Sequence, residues 1–181
     1  LAAGNVGVMA ATNEAVSAAQ FPMLLYVFTA IIVLCLITFR SLRATLCIVI
    51  PLAGVSLLAY ALMTLLEIGL KVSTLPVVAL GVGIGVDYGI YMISRLREEM
   101  LATDGNWPEA LRNTQNTTGS AVIVSIIVLL GSFIPLVGTT LANTWGLSIY
   151  IGWALIIDVF TALMLLPLMV KWFKPKYVFE D

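Results

Sequence analysis

The chain has 181 residues, of which 61% are hydrophobic and 10% are charged, and its mean hydropathy is +1.06. A soluble domain carries roughly 25% charged residues, so this composition excludes an ordinary soluble domain and indicates an all-α integral membrane protein. The net charge of −1 offers no basic surface for nucleic acid. Because histidine is absent, a proton relay within the chain would depend on carboxyls, hydroxyls or water.

The sequence predicts a short N-terminal segment followed by five membrane-spanning helices. Residues 1–13 have no initiator Met, basic region or cleavage site, so we interpret them as a linker in a longer protein and not as a signal peptide. Apolar runs long enough to cross the hydrocarbon follow. The predicted spans are approximately 14–40, 43–66, 72–97, 117–138 and 143–173.

The connections between these spans predict the orientation of the chain. Eight of the nine Lys and Arg residues lie at 40–43, 95–113 and 171–181, whereas the opposite side holds only Lys71. The positive-inside rule therefore places these three connections in the cytoplasm and the N-terminus outside. In the long loop, Pro108 suits a first helical turn and predicts a connector helix over 107–116. Residues 174–181 are predicted to form a cytoplasmic tail.

No residue pattern in the chain indicates an enzyme. There is no nucleophile–base pair, Walker lysine or cluster with metal-ligand spacing, so we expect no catalytic residue, no metal and no organic cofactor. Cys35 and Cys47 flank the first cytoplasmic hairpin and are interpreted as small, reduced core residues. Tyr150 and Tyr177 are interpreted in part as interfacial aromatic residues.

An isolated acid, Asp87, lies in the third predicted span within GVGIGVDYGIYMISR, residues 81–95. It precedes Arg95 by about 12 Å of helical rise and therefore lies inside the hydrocarbon. An acid at this depth costs about 2.5–3.5 kcal/mol on insertion scales and usually faces a bundle interior. Since desolvation favours the neutral form, Asp87 could carry a proton, with Tyr88 as its hydrogen-bonding neighbour. The alternative is an acid that only fixes helix packing.

Glycines around Asp87 predict close helix packing. Gly81, Gly85 and Gly89 recur every four residues, which gives one small face along which another helix can approach. Gly83 lies off that row and is expected to add flexibility beside the acid. A second isolated acid, Asp158, lies near the midplane of the last span, where either a relay or water-binding role or a helix-packing role would explain it.

The segment TLPVVALGVGIGVDYGIYMISRLREE, residues 74–99, resembles the fourth-helix motif of RND-superfamily permeases, specifically of the MMPL and hydrophobe-exporter branch. The stretches GNVGVMAATNEAV, LITFRSLRATLCIVIPL, EALRNTQNTTGSAVIVS and ALMLLPLM resemble the surroundings of that motif. The resemblance implies five transmembrane helices that form half of an RND-type two-repeat bundle in a bacterial inner membrane. It assigns the chain to helices 8–12, the second half, with residues 1–13 ending a periplasmic region.

The same resemblance implies an exporter of lipids or hydrophobic compounds that uses the proton as its coupling ion. Asp87 and Tyr88 would form the relay, with the Ser125 hydroxyl facing them and Asp158 as a further candidate. For Ser125 the alternative is a hydrogen bond to its own i−4 carbonyl. The implied partners are the N-terminal transmembrane half and the periplasmic domains of the same protein, membrane lipids, a hydrophobic substrate and a second copy of the protein.

A rival interpretation is a sterol-sensing-type module of the same superfold. Such a module would bind lipid between its helices and regulate other proteins without transport. A lipid sensor should tolerate Asp87→Asn far better than a proton-driven exporter, so the charge of Asp87 separates the two interpretations.

Overall fold

The computed structural model describes residues 5–65, 75–137 and 142–179, and its elements in this part of the chain are all helical. Two π-helical turns interrupt the α-helices, the first at Gln115–Gly119 and the second at Thr161–Leu165. The α-helices are α1 Asn5–Phe39, α2 Leu42–Leu65, α3 Leu75–Ala102, α4 Trp107–Thr114, α5 Ser120–Val137, α6 Ala142–Phe160, α7 Leu166–Phe173 and α8 Lys176–Phe179.

Within the described residues, four helical stretches are long and apolar enough to cross a membrane, which confirms an all-α membrane architecture. Five spans were predicted, and the difference lies in α3. This helix is 28 residues long, but Asp87, Arg95 and its glycines make it less apolar than the others. The four stretches are Glu14–Phe39, Leu42–Leu65, Trp107–Pro135 and Ile149–Phe173.

The first hairpin lies where the basic residues predicted it, but helix α1 is longer than expected. It begins at Asn5, so most of the predicted linker 1–13 continues the first span as helix. Arg40 ends α1 in a left-handed conformation with φ 48°, and its N–H donates to the Leu36 carbonyl at 2.9 Å. This left-handed residue reverses the chain, so α2 begins two residues later at Leu42.

The long loop that follows α3 is more helical than the sequence predicts. Helix α3 continues to Ala102, and the chain turns at Gly105, whose φ of 82° favours glycine. Helix α4 begins at Trp107 as expected from Pro108. The connector predicted over 107–116 is not a separate helix, because the first π turn joins α4 to α5 without a break.

Helix α3 packs against α1, α2, α4, α6 and α8 and so holds the central position in the bundle. Helices α2 and α6 with α7 are more buried than α1 and α5, which leave most of their apolar surface exposed. Cys35 and Cys47 are free thiols within the main core, in agreement with their interpretation as core residues.

The predicted tail begins after α7 as expected, but residues 174–179 pack against the bundle. Lys174 ends α7 with φ 41°, and α8 follows. The Tyr177 ring lies edge-on to Phe39 with centroids 4.9 Å apart, and the Arg97 guanidinium lies 4.5 Å from its centroid. Phe179 stacks on Trp107 at 5.5 Å. The Tyr177 ring is therefore held between Phe39 of α1 and Arg97 of α3, and its interpretation as a partly interfacial residue stays a prediction.

Candidate functional site

Helix α3 presents two faces with opposite environments. At 100° per residue, Gly85 and Asp87 point to nearly opposite sides of the helix. The side of Gly85 packs against α2 and α6, and we call it the enclosed face. The side of Asp87 carries exposed residues, and we call it the open face. The enclosed face includes the buried residues Val82, Gly89, Met92, Ile93 and Leu96, and the open face includes the exposed residues Leu80, Asp87, Tyr91 and Glu98.

The enclosed face holds Asp158, whose side chain is 2% exposed. A Cβ built on Gly85 would lie 2.7 Å from Asp158 Oδ1 and 2.8 Å from Leu52 Cδ1, so only glycine leaves room for the carboxyl. Asp158 Oδ2 is buried and has no hydrogen-bond partner within the described residues. Of Asp87 and Asp158, the acid that the described helices enclose is therefore Asp158.

Two polar residues that the sequence did not assign to a site lie beside Asp158. Ser56 and Tyr150 line the same small cavity, which has a volume of about 10 Å³. The Ser56 hydroxyl donates to the Leu52 carbonyl at 3.0 Å, while the Tyr150 hydroxyl is buried without a partner among the described residues. Tyr150 is thus a core residue and not an interfacial one. Its position inside an apolar span was the only signal that could have identified it.

The glycines of the row on α3 differ in how closely neighbouring helices approach them, with tight approaches at Gly85 and Gly89 and ordinary contact at Gly81. A Cβ on Gly81 would lie 3.9 Å from Asp158 Oδ2, and a Cβ on Gly89 would lie 3.2 Å from Ile48 Cγ2 and 3.3 Å from Leu166 Cδ1. Gly83 differs, since a Cβ there would meet nothing within 4 Å. Gly83 therefore takes no part in this packing within the described chain.

The open face holds Asp87, which is exposed in the described chain. The sequence predicts that Asp87 faces protein, but no described helix of this chain covers it. Tyr91, one helical turn away on the same face, is also exposed. A depth estimate along one helix could not distinguish the two faces. Whether another part of the protein covers Asp87 stays a prediction.

A cleft of about 570 Å³ lies along the open face, between α3 and the start of α5. Tyr88 and Ser125 both line it, so the structure brings together these two predicted relay residues. Tyr88 is 6% exposed and its hydroxyl has no partner among the described residues, while Ser125 is exposed. Asp87 lies on the same face, one helical turn from Tyr91 at the edge of the cleft. Asp158 does not line this cleft.

Charged residues close the predicted cytoplasmic end of the cleft. Arg95 Nη1 lies 2.9 Å from Glu98 Oε2, and Arg95 Nη2 lies 2.6 Å from Glu99 Oε1. Asn113 on α4 donates to Glu99 Oε2 at 3.0 Å. This network fixes the connector helix to α3, and it places a cation at the lip of the cleft because Arg95 is also a lining residue.

An all-helical bundle with several helices long and apolar enough to cross a membrane defines the class as a multi-pass membrane protein. The model of the MMPL family matches residues 2–175, and the chain belongs to this family. Over 62 residues the chain is 42% identical to the trehalose monomycolate exporter MmpL3 of Mycolicibacterium smegmatis and to that of Mycobacterium tuberculosis. This alignment covers 34% of the chain and 6% of each relative. No solved structure matches the chain.

Proposed function

We propose that this chain is one transmembrane half of a proton-driven lipid exporter in which Asp87 carries the coupling proton. The observation that supports this proposal best is an exposed acid on the open face of the central helix, beside a cleft that contains Tyr88 and Ser125. Family membership supports a permease. The relatives' activity makes a trehalose lipid, with trehalose monomycolate first, the substrate class to test.

The open face needs a protein partner in the membrane. An aspartate exposed to hydrocarbon at depth costs about 2.5–3.5 kcal/mol on insertion scales. The helices of this chain do not cover Asp87, so we propose that the N-terminal transmembrane half of the same protein packs on this face. Protonation of Asp87 would lower the cost of burying it in that contact and would shift the packing of the two halves.

In this proposal the route of the proton to the predicted cytoplasmic side follows the cleft, which passes Tyr91, one helical turn from Asp87. Tyr88 and Ser125 provide hydroxyls that donate and accept hydrogen bonds, and Arg95 lies at the lip. Each proton that crosses the membrane potential supplies about 2.3 kcal/mol per 100 mV, which is enough to shift a two-state packing equilibrium. In this proposal the proton enters from the periplasm and leaves through the cleft.

The geometry favours a packing role for Asp158 over a relay role. Its carboxyl lies on the enclosed face, apart from the cleft, where Gly85 and Leu52 confine it. A group so confined cannot exchange protons through the cleft unless α3 moves. We therefore propose that Asp158 sets the spacing of α2, α3 and α6.

The test is export of radiolabelled trehalose monomycolate by the full-length protein in membrane vesicles with an imposed proton gradient. Asp87→Asn should reduce export to the level of vesicles without the gradient while lipid binding is retained. Asp104→Asn is the matched control, because Asp104 is exposed in a left-handed turn that Asn also adopts. Export by Asp87→Asn at the wild-type rate would contradict the proposed role of Asp87, whereas lipid binding by the wild-type protein without gradient-dependent export would favour the sterol-sensing-type interpretation.

A further inference from the structure

The two π turns lie against each other where the connector meets the last span. In the first, the Ser120 N–H donates to the Gln115 carbonyl, and in the second, the Leu166 N–H donates to the Thr161 carbonyl. Each donor is five residues beyond its acceptor, so each turn is wider than α-helix. Isolated π turns within α-helices occur frequently at functional sites.

Pro167 explains why the second π turn forms. Proline has no backbone N–H, and its ring clashes with the carbonyl four residues earlier. That carbonyl belongs to Leu163, which lies inside the second π turn. The regular α-helical partner of the Leu163 carbonyl is therefore missing, and in a membrane-spanning helix such a group requires another donor.

Gln115 supplies a donor from the first π turn. Its Nε2 lies 3.3 Å from the Leu163 carbonyl oxygen, although the two residues are 48 positions apart. The Leu163 side chain also contacts the first turn, since a Cβ on the buried Gly119 would lie 3.2 Å from Leu163 Cδ2. Leu163 thus contacts the first π turn through both its backbone and its side chain.

The first π turn also forms part of the cleft wall. Thr117 and Thr118 belong to this turn and line the cleft opposite Tyr88 and Arg95. A change in the bend at this turn would move these threonines and alter the width of the cleft. The Gln115 contact thereby connects the geometry of the last span to that of the cleft.

We propose that Gln115 is a positioning residue that couples the two π turns into one joint, so that the α4–α5 helix and the α6–α7 helix bend together. The coupling itself depends only on the contacts among Gln115, Leu163, Gly119 and Pro167. Its role in opening and closing the cleft rests on the proposed function.

The coupling can be measured by spin-label distances in the full-length protein reconstituted in lipid. Labels at Arg112→Cys and Leu168→Cys occupy exposed positions on either side of the joint, and Cys35 and Cys47 are fully buried. Other exposed cysteines of the full-length protein are replaced first. Gln115→Leu removes the donor at nearly the same size, and Asn116→Leu, at an exposed neighbour in the same turn, is the matched control.

Gln115→Leu should raise the population of a second distance about five-fold, as expected for one lost hydrogen bond of about 1 kcal/mol. Asn116→Leu should leave the distances unchanged. In a Pro167→Ala background, where the helix regains its own donor, Gln115→Leu should have no effect. An equal effect of Gln115→Leu in both backgrounds, or none in either, would overturn the proposal.

Gly119→Ala is a second test that leaves Pro167 in place. Its Cβ would press on Leu163 Cδ2 and should shift the distances, whereas Gly131→Ala on the same helix meets nothing within 4 Å and should not. Equal behaviour of these two variants would also count against the joint. Because the distances are recorded without transport, loss of the coupling and loss of export are separate results.

Discussion

The two faces of helix α3 place the two intramembrane acids in opposite environments. On the enclosed face, Gly85 leaves space that the Asp158 carboxyl of α6 fills. On the open face, Asp87 projects from α3 itself and no helix of the described chain covers it. The comparison teaches that depth in the membrane and enclosure by protein are separate properties. In the proposed function, the enclosed acid fixes helix packing and the open acid regulates the contact with the other transmembrane half.

The largest expected effect on stability comes from the glycines of α3. Gly85→Ala introduces a Cβ at 2.7 Å from Asp158 Oδ1 and should lower the free energy of unfolding by about 1–3 kcal/mol through overpacking. The Cβ that Gly83→Ala introduces meets nothing within 4 Å. This variant should raise the free energy of unfolding by up to about 1 kcal/mol, because alanine has a higher helix propensity than glycine. Unfolding of the full-length protein in detergent measures both. Similar values for the two variants would show that the enclosed face is not tightly packed.

Two acids near the C-terminal end of α3, the buried Glu99 and the exposed Glu98, provide a second comparison of the two faces of this helix. Glu99 is on the buried side and contacts both Arg95 and Asn113, so Glu99→Gln should cost about 1 kcal/mol, after allowance for the solvent exposure of Arg95. Glu98 is exposed and pairs with the same arginine, so Glu98→Gln should cost less than about 0.5 kcal/mol. Proteolysis of the 103–106 turn reports on the connector. Faster cleavage in the Glu98 variant than in the Glu99 variant would reverse this ranking.

The smallest expected effect concerns two tyrosines. Tyr150→Phe removes a buried hydroxyl that has no partner within the described residues, so stability should not fall and should gain at most about 1 kcal/mol. Tyr91→Phe alters an exposed side chain and should change stability by less than about 0.5 kcal/mol. The thermal unfolding midpoint measures both. A clear loss for Tyr150→Phe would mean that its hydroxyl is hydrogen-bonded and that the Asp158 cavity is a polar network.

The contact between the two π turns and the packing of residues 174–179 against the bundle are features that local sequence patterns do not predict. Pro167 and Gln115 are visible in the sequence, but the hydrogen bond joins Gln115 to the Leu163 carbonyl 48 residues away, and no side-chain pattern reports a backbone carbonyl. Tyr177 likewise follows the last span in a basic stretch, and only the positions of Phe39 and Arg97 show that it is packed. Both contacts join segments that are distant in the chain.

The sequence alone determined the membrane class, the helical content, the positions of the first hairpin and the last span, and the family resemblance. These properties depend on local composition, because hydrocarbon requires long apolar helices and charge marks their ends. The tertiary structure decided which acid is enclosed and which is left open. Asp87 and Asp158 satisfy the same hydropathy pattern. Only the rotation of α3 against α2 and α6 turns Gly85 toward Asp158 and leaves Asp87 on the opposite, exposed side of α3. Side-chain enclosure depends on that rotation, which local periodicity does not fix when an apolar helix has little difference between its faces.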